Sequence, residues 1–222
     1  MHRPLTLFVT VALLLSTLAA CGAPTASAPA PSATEPAVTE ATQPSTDTAA
    51  PPSSKALVAY FSRAGENYGV GVVEKGNTEI IADMILEETG ADAFRIQTVN
   101  TCPESYDQCT EVAKQEQQDQ VRPELTSTIE NFDEYNVIYL GYPIWWGDMP
   151  MAVYTFLESY DFTGKTIHPF CTHAGSGLAD TVGSIQAICG SAEVSDGLAI
   201  AGTMAQNDQD AARNLVEGWV QE

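Results

Sequence analysis

From residue 55 onward, short unbroken apolar runs alternate with longer stretches whose apolar residues recur every three or four positions. Ala56 to Phe61 is such a run, the mark of a strand covered on both faces. Residues 78–89 then set Ile80, Ile81, Met84 and Ile85 on one helical face, with Gly90 as the stop. A second strand is predicted over 92–99. Residues 106–118 read as a polar helix with Tyr106, Cys109 and Ala113 as its thin apolar edge. Asn136 to Gly141 is a third strand, and Pro150 suits the first turn of a helix that buries Val153, Phe156 and Leu157. Thr166 to Cys171 gives a fourth strand; Leu178, Val182, Ile185 and Ile188 mark another helix; Gly197 to Ala201 is a fifth strand. The last helix, from Asp208, packs Leu215, Val216, Trp219 and Val220. Five strands alternating with five helices predict an α/β fold with a doubly wound five-stranded parallel sheet. Ligands of such sheets bind beyond the carboxyl ends of the strands. The loops after strands one, three and four are therefore where chemistry is sought.

The first 54 residues follow another pattern. Arg3, an apolar run from Leu5 to Leu14 and small residues leading to Cys21 have the layout of an export signal over residues 1–20. A membrane-spanning helix needs about 20 apolar residues, and this run is shorter. Leu18-Ala19-Ala20-Cys21 resembles the lipobox of bacterial lipoproteins, which implies cleavage before Cys21 and acylation of its thiol. The alternative is an ordinary export signal with a chance cysteine. Residues 22–54 are almost all Ala, Pro, Ser and Thr, with no aromatic, and cannot bury enough apolar surface to offset their ordering entropy. Residues 21–54 thus read as a lipidated cysteine and a disordered tether. They would hold the 55–222 domain at the outer, extracytoplasmic face of a cell membrane.

Charge narrows the partners. The chain carries −20 at pH 7, and Glu35, Glu40 and Asp47 are the only acids before Lys55. Nearly all the charge therefore belongs to the domain. That argues against nucleic acid and anionic lipid as partners and permits a basic one. Three histidines without paired metal spacing give no reason to expect a metal site.

Three loops carry the candidate chemistry. After strand one, Ser62-Arg63-Ala64-Gly65 precedes Gly76-Asn77-Thr78 at a helix start. Hydroxyls, an amide and free N–H groups there make an anion site favoured by the helix dipole; a plain N-cap by Asn77 or Thr78 is the alternative. Neither a dinucleotide fingerprint nor a P-loop motif is present. After strand three, Tyr142-Pro143-Ile144-Trp145-Trp146-Gly147 places two indoles in a Pro/Gly loop. They offer a flat face to a planar ring, or else cap the core beneath. After strand four, Thr172-His173-Ala174-Gly175-Ser176-Gly177 lets backbone approach a ligand closely. Together the three loops suit a phosphorylated planar cofactor.

With these motifs the chain resembles the flavodoxin family from Leu57 to Gly202. The resemblance implies a sheet of order 2-1-3-4-5 and non-covalently bound FMN. Ser62, Arg63, Ala64, Asn77 and Thr78 would hold its phosphate. Pro143, Ile144, Trp145, Trp146 and Gly147, with Thr172, His173, Gly175, Ser176 and Gly177, would frame its ring. Two departures stand out. Residues 66–75 are inserted in the phosphate loop, where they would fold over the flavin as a lid or displace the usual phosphate geometry. Cys102 and Cys109 follow strand two, close in sequence, and export permits a disulfide between them. Cys171 and Cys189 read as buried thiols, His168 as structural, and His173 as a hydrogen bonder. The acidic composition leads one to expect a lowered flavin potential.

Three functions compete. The first is a tethered electron carrier exchanging electrons with a membrane donor or a basic redox protein. The second is an FMN-dependent NAD(P)H or quinone reductase. The third is a binding module without flavin. Bound chromophore separates the third from the others, and direct oxidation of NADPH separates the second from the first.

Overall fold

The computed structural model describes residues 55–221. The export signal expected over 1–20, the acylated Cys21 and the 21–54 tether lie outside the described residues. In chain order the elements are β1 (Lys55–Tyr60), β2 (Gly65–Asn67), β3 (Gly71–Val73), α1 (Asn77–Thr89), β4 (Asp92–Arg95), α2 (Tyr106–Gln118), β5 (Tyr135–Pro143), α3 (Met151–Glu158), β6 (Thr166–His173), α4 (Thr181–Ile188), β7 (Glu193–Val194), β8 (Leu198–Ala201), α5 (Gly202–Asn207) and α6 (Gln209–Val220). A single 3₁₀ turn, Phe132–Glu134, leads into β5.

The main sheet is parallel, in the order β4-β1-β5-β6, with β6 continued by β7 near its start and by β8 near its end. That is the expected 2-1-3-4-5 order, with two-residue β7 added. Alternation along β1 explains the two layers. Leu57 and Ala59 join one buried cluster with Ile138, Leu140, Phe156 and Ile167. Val58 and Tyr60 point into the other, with Ile81, Ile85, Phe170 and Val216. Helices α2, α3 and α4 neighbour one another on the first side, and α1, α5 and α6 on the second. A strand buried on both faces is uniformly apolar, which is why it was legible as a run.

Several elements differ from expectation. The second strand ends at Arg95, and Thr98 makes an isolated antiparallel bridge to Leu125 instead of extending the ladder. Pro150 is the N-cap residue rather than part of the first turn of α3. Leu178 lies ahead of α4, whose N-cap is Asp180. The 66–75 insertion is largely an antiparallel hairpin, β2–β3. His168, on β6, stacks on Tyr139 at 5.2 Å and contacts Ser195 Oγ through Nδ1 at 3.1 Å. Burial lowers its pKa, in keeping with a structural role.

No helix among the described residues is long and apolar enough to cross a membrane.

Candidate functional site

The carboxyl ends of β1, β5, β6 and β8 and the first half of α2 surround one cavity of about 690 Å³. Its size suits a small-molecule ligand. Each wall follows from local sequence.

The β1 loop and the start of α1 meet because residue 76 is glycine. A Cβ there would stand 2.3 Å from Ser62 Oγ and 2.4 Å from the Arg63 carbonyl oxygen. Gly76 is the N-cap of α1, and no side chain caps the helix there. The plain cap by Asn77 or Thr78 is thus not what forms. The buried Ser62 hydroxyl accepts from the Glu79 N–H at 3.0 Å. The buried Thr78 hydroxyl pairs with that of Thr172 at 2.8 Å, tying this loop to the end of β6. Asn77 lines the cavity, and its Oδ1 accepts from Gln206 Nε2 at 2.9 Å.

Arg63 also lines the cavity, but its hydrogen bonds run elsewhere. The guanidinium donates to the carbonyls of Glu66, Pro103 and Glu104. It joins the hairpin to the segment before α2 while leaving its positive charge in the wall. Ser62, Ala64 and Thr78 do not reach the cavity. Ser62 and Thr78 support its floor, and Ala64 is exposed.

The indole loop is a tight turn. Trp145 and Asp148 exchange backbone hydrogen bonds at 2.8 and 3.0 Å. Trp146 and Gly147 between them both have positive φ, 52° and 76°. That is the pattern of a type I′ turn, which favours Asn or Gly at both places. A tryptophan at such a position carries local strain, a feature that concentrates at functional sites. Trp145 lies edge-on to Phe61 at 5.4 Å. Trp146 is 51% exposed; its indole N–H donates to the Thr110 carbonyl at 2.9 Å, and Lys114 Nζ lies 5.0 Å from its ring centre. Both indoles line the cavity together with Pro143 and Ile144, and Trp145 also covers Phe61 at the edge of the core. Gly147 marks the turn tip, outside the lining.

From the third loop, Thr172, His173, Ala174 and Gly175 line the cavity, whereas Ser176 and Gly177 do not. His173 Nδ1 accepts from the Gly175 N–H at 2.9 Å. Nδ1 is therefore the unprotonated nitrogen of the neutral ring, and Nε2 carries the proton. Burial lowers the pKa of this histidine, which favours the neutral ring.

Three further segments contribute, and the first of them, the 66–75 insertion, is one the sequence already set beside the ligand. The hairpin supplies Asn67, Tyr68 and Gly69. Helix α2 supplies Tyr106, Cys109, Thr110 and Ala113; its thin apolar edge was visible, but a core face has the same signature. The segment after β8 supplies Ala201, Gly202 and Thr203, which carry no motif. The rings of Tyr68 and Tyr106 lie 6.0 Å apart, so the hairpin and α2 meet at the mouth. Cys102 and Cys109 are joined by a disulfide.

Arg63 is the one ionised side chain in the lining, and no carboxylate is among these residues. In a chain of net charge −20, the acids thus stand outside the cavity lining, among them Glu66, whose carboxylate accepts from the Tyr106 N–H.

The flavodoxin family model matches residues 55–220. Among solved structures, a candidate flavoprotein from Bacteroides uniformis is 28% identical with a TM-score of 0.61, covering 76% of this chain and 99% of its own. One from Bacteroides eggerthii is 26% identical with a TM-score of 0.59, over 76% of this chain and 96% of that one. A flavoprotein from Lactobacillus acidophilus NCFM, solved in complex with FMN, is 19% identical with a TM-score of 0.54, over 71% and 99%; at that identity the likeness is one of fold. No curated protein matches the chain. With the family model spanning the whole described domain, the chain belongs to the flavodoxin family.

Proposed function

We propose that this chain is an FMN-binding electron carrier, held at the outer face of a membrane through acylated Cys21. The observation that carries the reading is the cavity wall: two indoles, hydroxyls and amides around a single positive charge, in a strongly acidic protein. An anionic, planar ligand fits that donor set. The glycine at position 76 also keeps the α1 N-terminus close to the first loop, where a phosphate is favoured by free N–H groups and the helix dipole. The Asn77 side chain and the Arg63 charge would support the phosphate. Trp145 and Trp146 would cover the ring and exclude water, with His173 Nε2–H as a hydrogen-bond donor. When bound, FMN supplies one- and two-electron redox chemistry; the protein's part is to hold, orient and tune it.

The carrier is favoured over the reductase because the sequence shows no dinucleotide fingerprint. The test is direct. FMN-loaded protein should not be reduced by NADPH, yet after chemical reduction it should pass electrons to an added one-electron acceptor. Catalytic oxidation of NADPH would replace the carrier with the reductase. In the same cells, Cys21→Ala should move the protein out of the membrane fraction; retention there would remove the lipid anchor from the account.

A further inference from the structure

Cys109 lines the cavity as one half of the Cys102–Cys109 bond. We propose that this disulfide is a second redox centre, reduced by the flavin of the same cavity and re-oxidised by exchange with an external disulfide. The proposal rests on the FMN reading. Three observations carry it.

The first is placement. Cys109 is buried at 4% exposure in the first turns of α2, between the lining residues Tyr106 and Thr110. Cys102 is only partly buried. One sulfur belongs to the cavity wall and the other reaches toward solvent, as a relay between an enclosed donor and an outside acceptor requires.

The second is that the wall does not depend on the bond. Arg63 donates to the Pro103 and Glu104 carbonyls, the Tyr106 N–H donates to the Glu66 carboxylate at 2.9 Å, and the Cys109 N–H donates to the Ser105 carbonyl at 3.0 Å. A disulfide closing so short a loop also adds less stability than one closing a long loop. Opening it therefore leaves the segment pinned.

The third is electrostatic. The liberated sulfurs would sit in the first turns of a helix, whose positive end favours thiolate, and beside a segment held by a guanidinium, with the Glu66 carboxylate on the Tyr106 N–H and Asp107 in the first turn acting against it. The other two cysteines are the reverse case. Cys171 and Cys189 are buried and unbridged, and burial pushes their thiols up to about 12 and about 11. Among the described residues, the two cysteines outside the disulfide are thus held as thiols.

The step balances. The disulfide takes two electrons and two protons from the reduced flavin; its S–S bond breaks, two S–H bonds form, and the flavin is left oxidised. The Cys102 thiolate then attacks an external disulfide, releasing one thiol and forming a mixed disulfide. The Cys109 thiolate displaces the second thiol and restores the 102–109 bond.

The test uses the full chain in detergent, loaded with FMN and photoreduced without oxygen in the presence of EDTA. Iodoacetamide is then added under native conditions, and labelled peptides are mapped by mass. Labels are expected on Cys102 and Cys109, and on neither when the chain is illuminated without FMN. Reductive titration should consume four electrons per bound FMN, falling to two in the Cys102→Ser/Cys109→Ser double variant. A flavin that is fully reduced while both cysteines stay unlabelled would overturn the relay and leave the FMN reading intact. So would labels that appear only after a phosphine has opened the bond and FMN has been lost, which would make the bond a structural strap. A chain that takes up no FMN overturns both readings.

Discussion

Gly76→Ala is expected to weaken FMN binding at least about tenfold and to destabilise the fold by about 1–3 kcal/mol, the usual cost of overpacking. The added carbon would stand 2.4 Å from the Arg63 carbonyl oxygen and 2.8 Å from its carbon. Those are backbone atoms and cannot rotate away as the Ser62 hydroxyl can. The first loop must move off α1, breaking the Glu79–Ser62 hydrogen bond and shifting the pocket end of β1. Gly218→Ala in α6 is the control, because nothing stands within 4 Å of the added carbon there. It should leave binding unchanged. Equal affinities for wild type and Gly76→Ala, by fluorescence titration, would mean that this corner does not meet the ligand.

Trp146→Asn should separate binding from stability. Asparagine tolerates the left-handed backbone that tryptophan occupies here at φ 52°. Relief of that strain is worth about 1–2 kcal/mol. Against it stand the lost indole bond to Thr110, about 1 kcal/mol, and the lost Lys114 contact, about 0.5–1 kcal/mol. These contributions nearly cancel, so the melting temperature should hardly move. Affinity for FMN should fall roughly two- to tenfold, since an aromatic contact with the ring is worth about 0.5–1.5 kcal/mol. A variant that melts like wild type and binds FMN equally well would show that Trp146 is no part of the ring site.

What the sequence disclosed follows from how burial writes itself into a chain. β1 and β5 are covered on both faces, and their uniform apolar runs announce this. The α1 face of Ile80, Ile81, Met84 and Ile85 is buried as its spacing implies. Three-residue strands have no period to read, so the β2–β3 hairpin stayed hidden behind its glycines. The role of Arg63 was equally invisible, because its partners Pro103 and Glu104 lie 40 and 41 residues away and offer only backbone carbonyls. Helix α2 was found with both ends in place, yet Tyr106, Cys109 and Ala113 looked like core residues. An apolar edge reads alike whether it turns toward a sheet or toward a cavity. The indole and glycine-rich loops were legible because tryptophan and glycine are uncommon choices for an ordinary connection.

The central claim is that this cavity holds flavin mononucleotide. Titration of the protein with FMN, followed by flavin fluorescence and the visible spectrum, tests it most directly. The account predicts saturation at one equivalent, a dissociation constant below micromolar, and fluorescence quenched by the neighbouring indoles. Protein that stays colourless, with flavin fluorescence unchanged at micromolar concentrations of both, would contradict it.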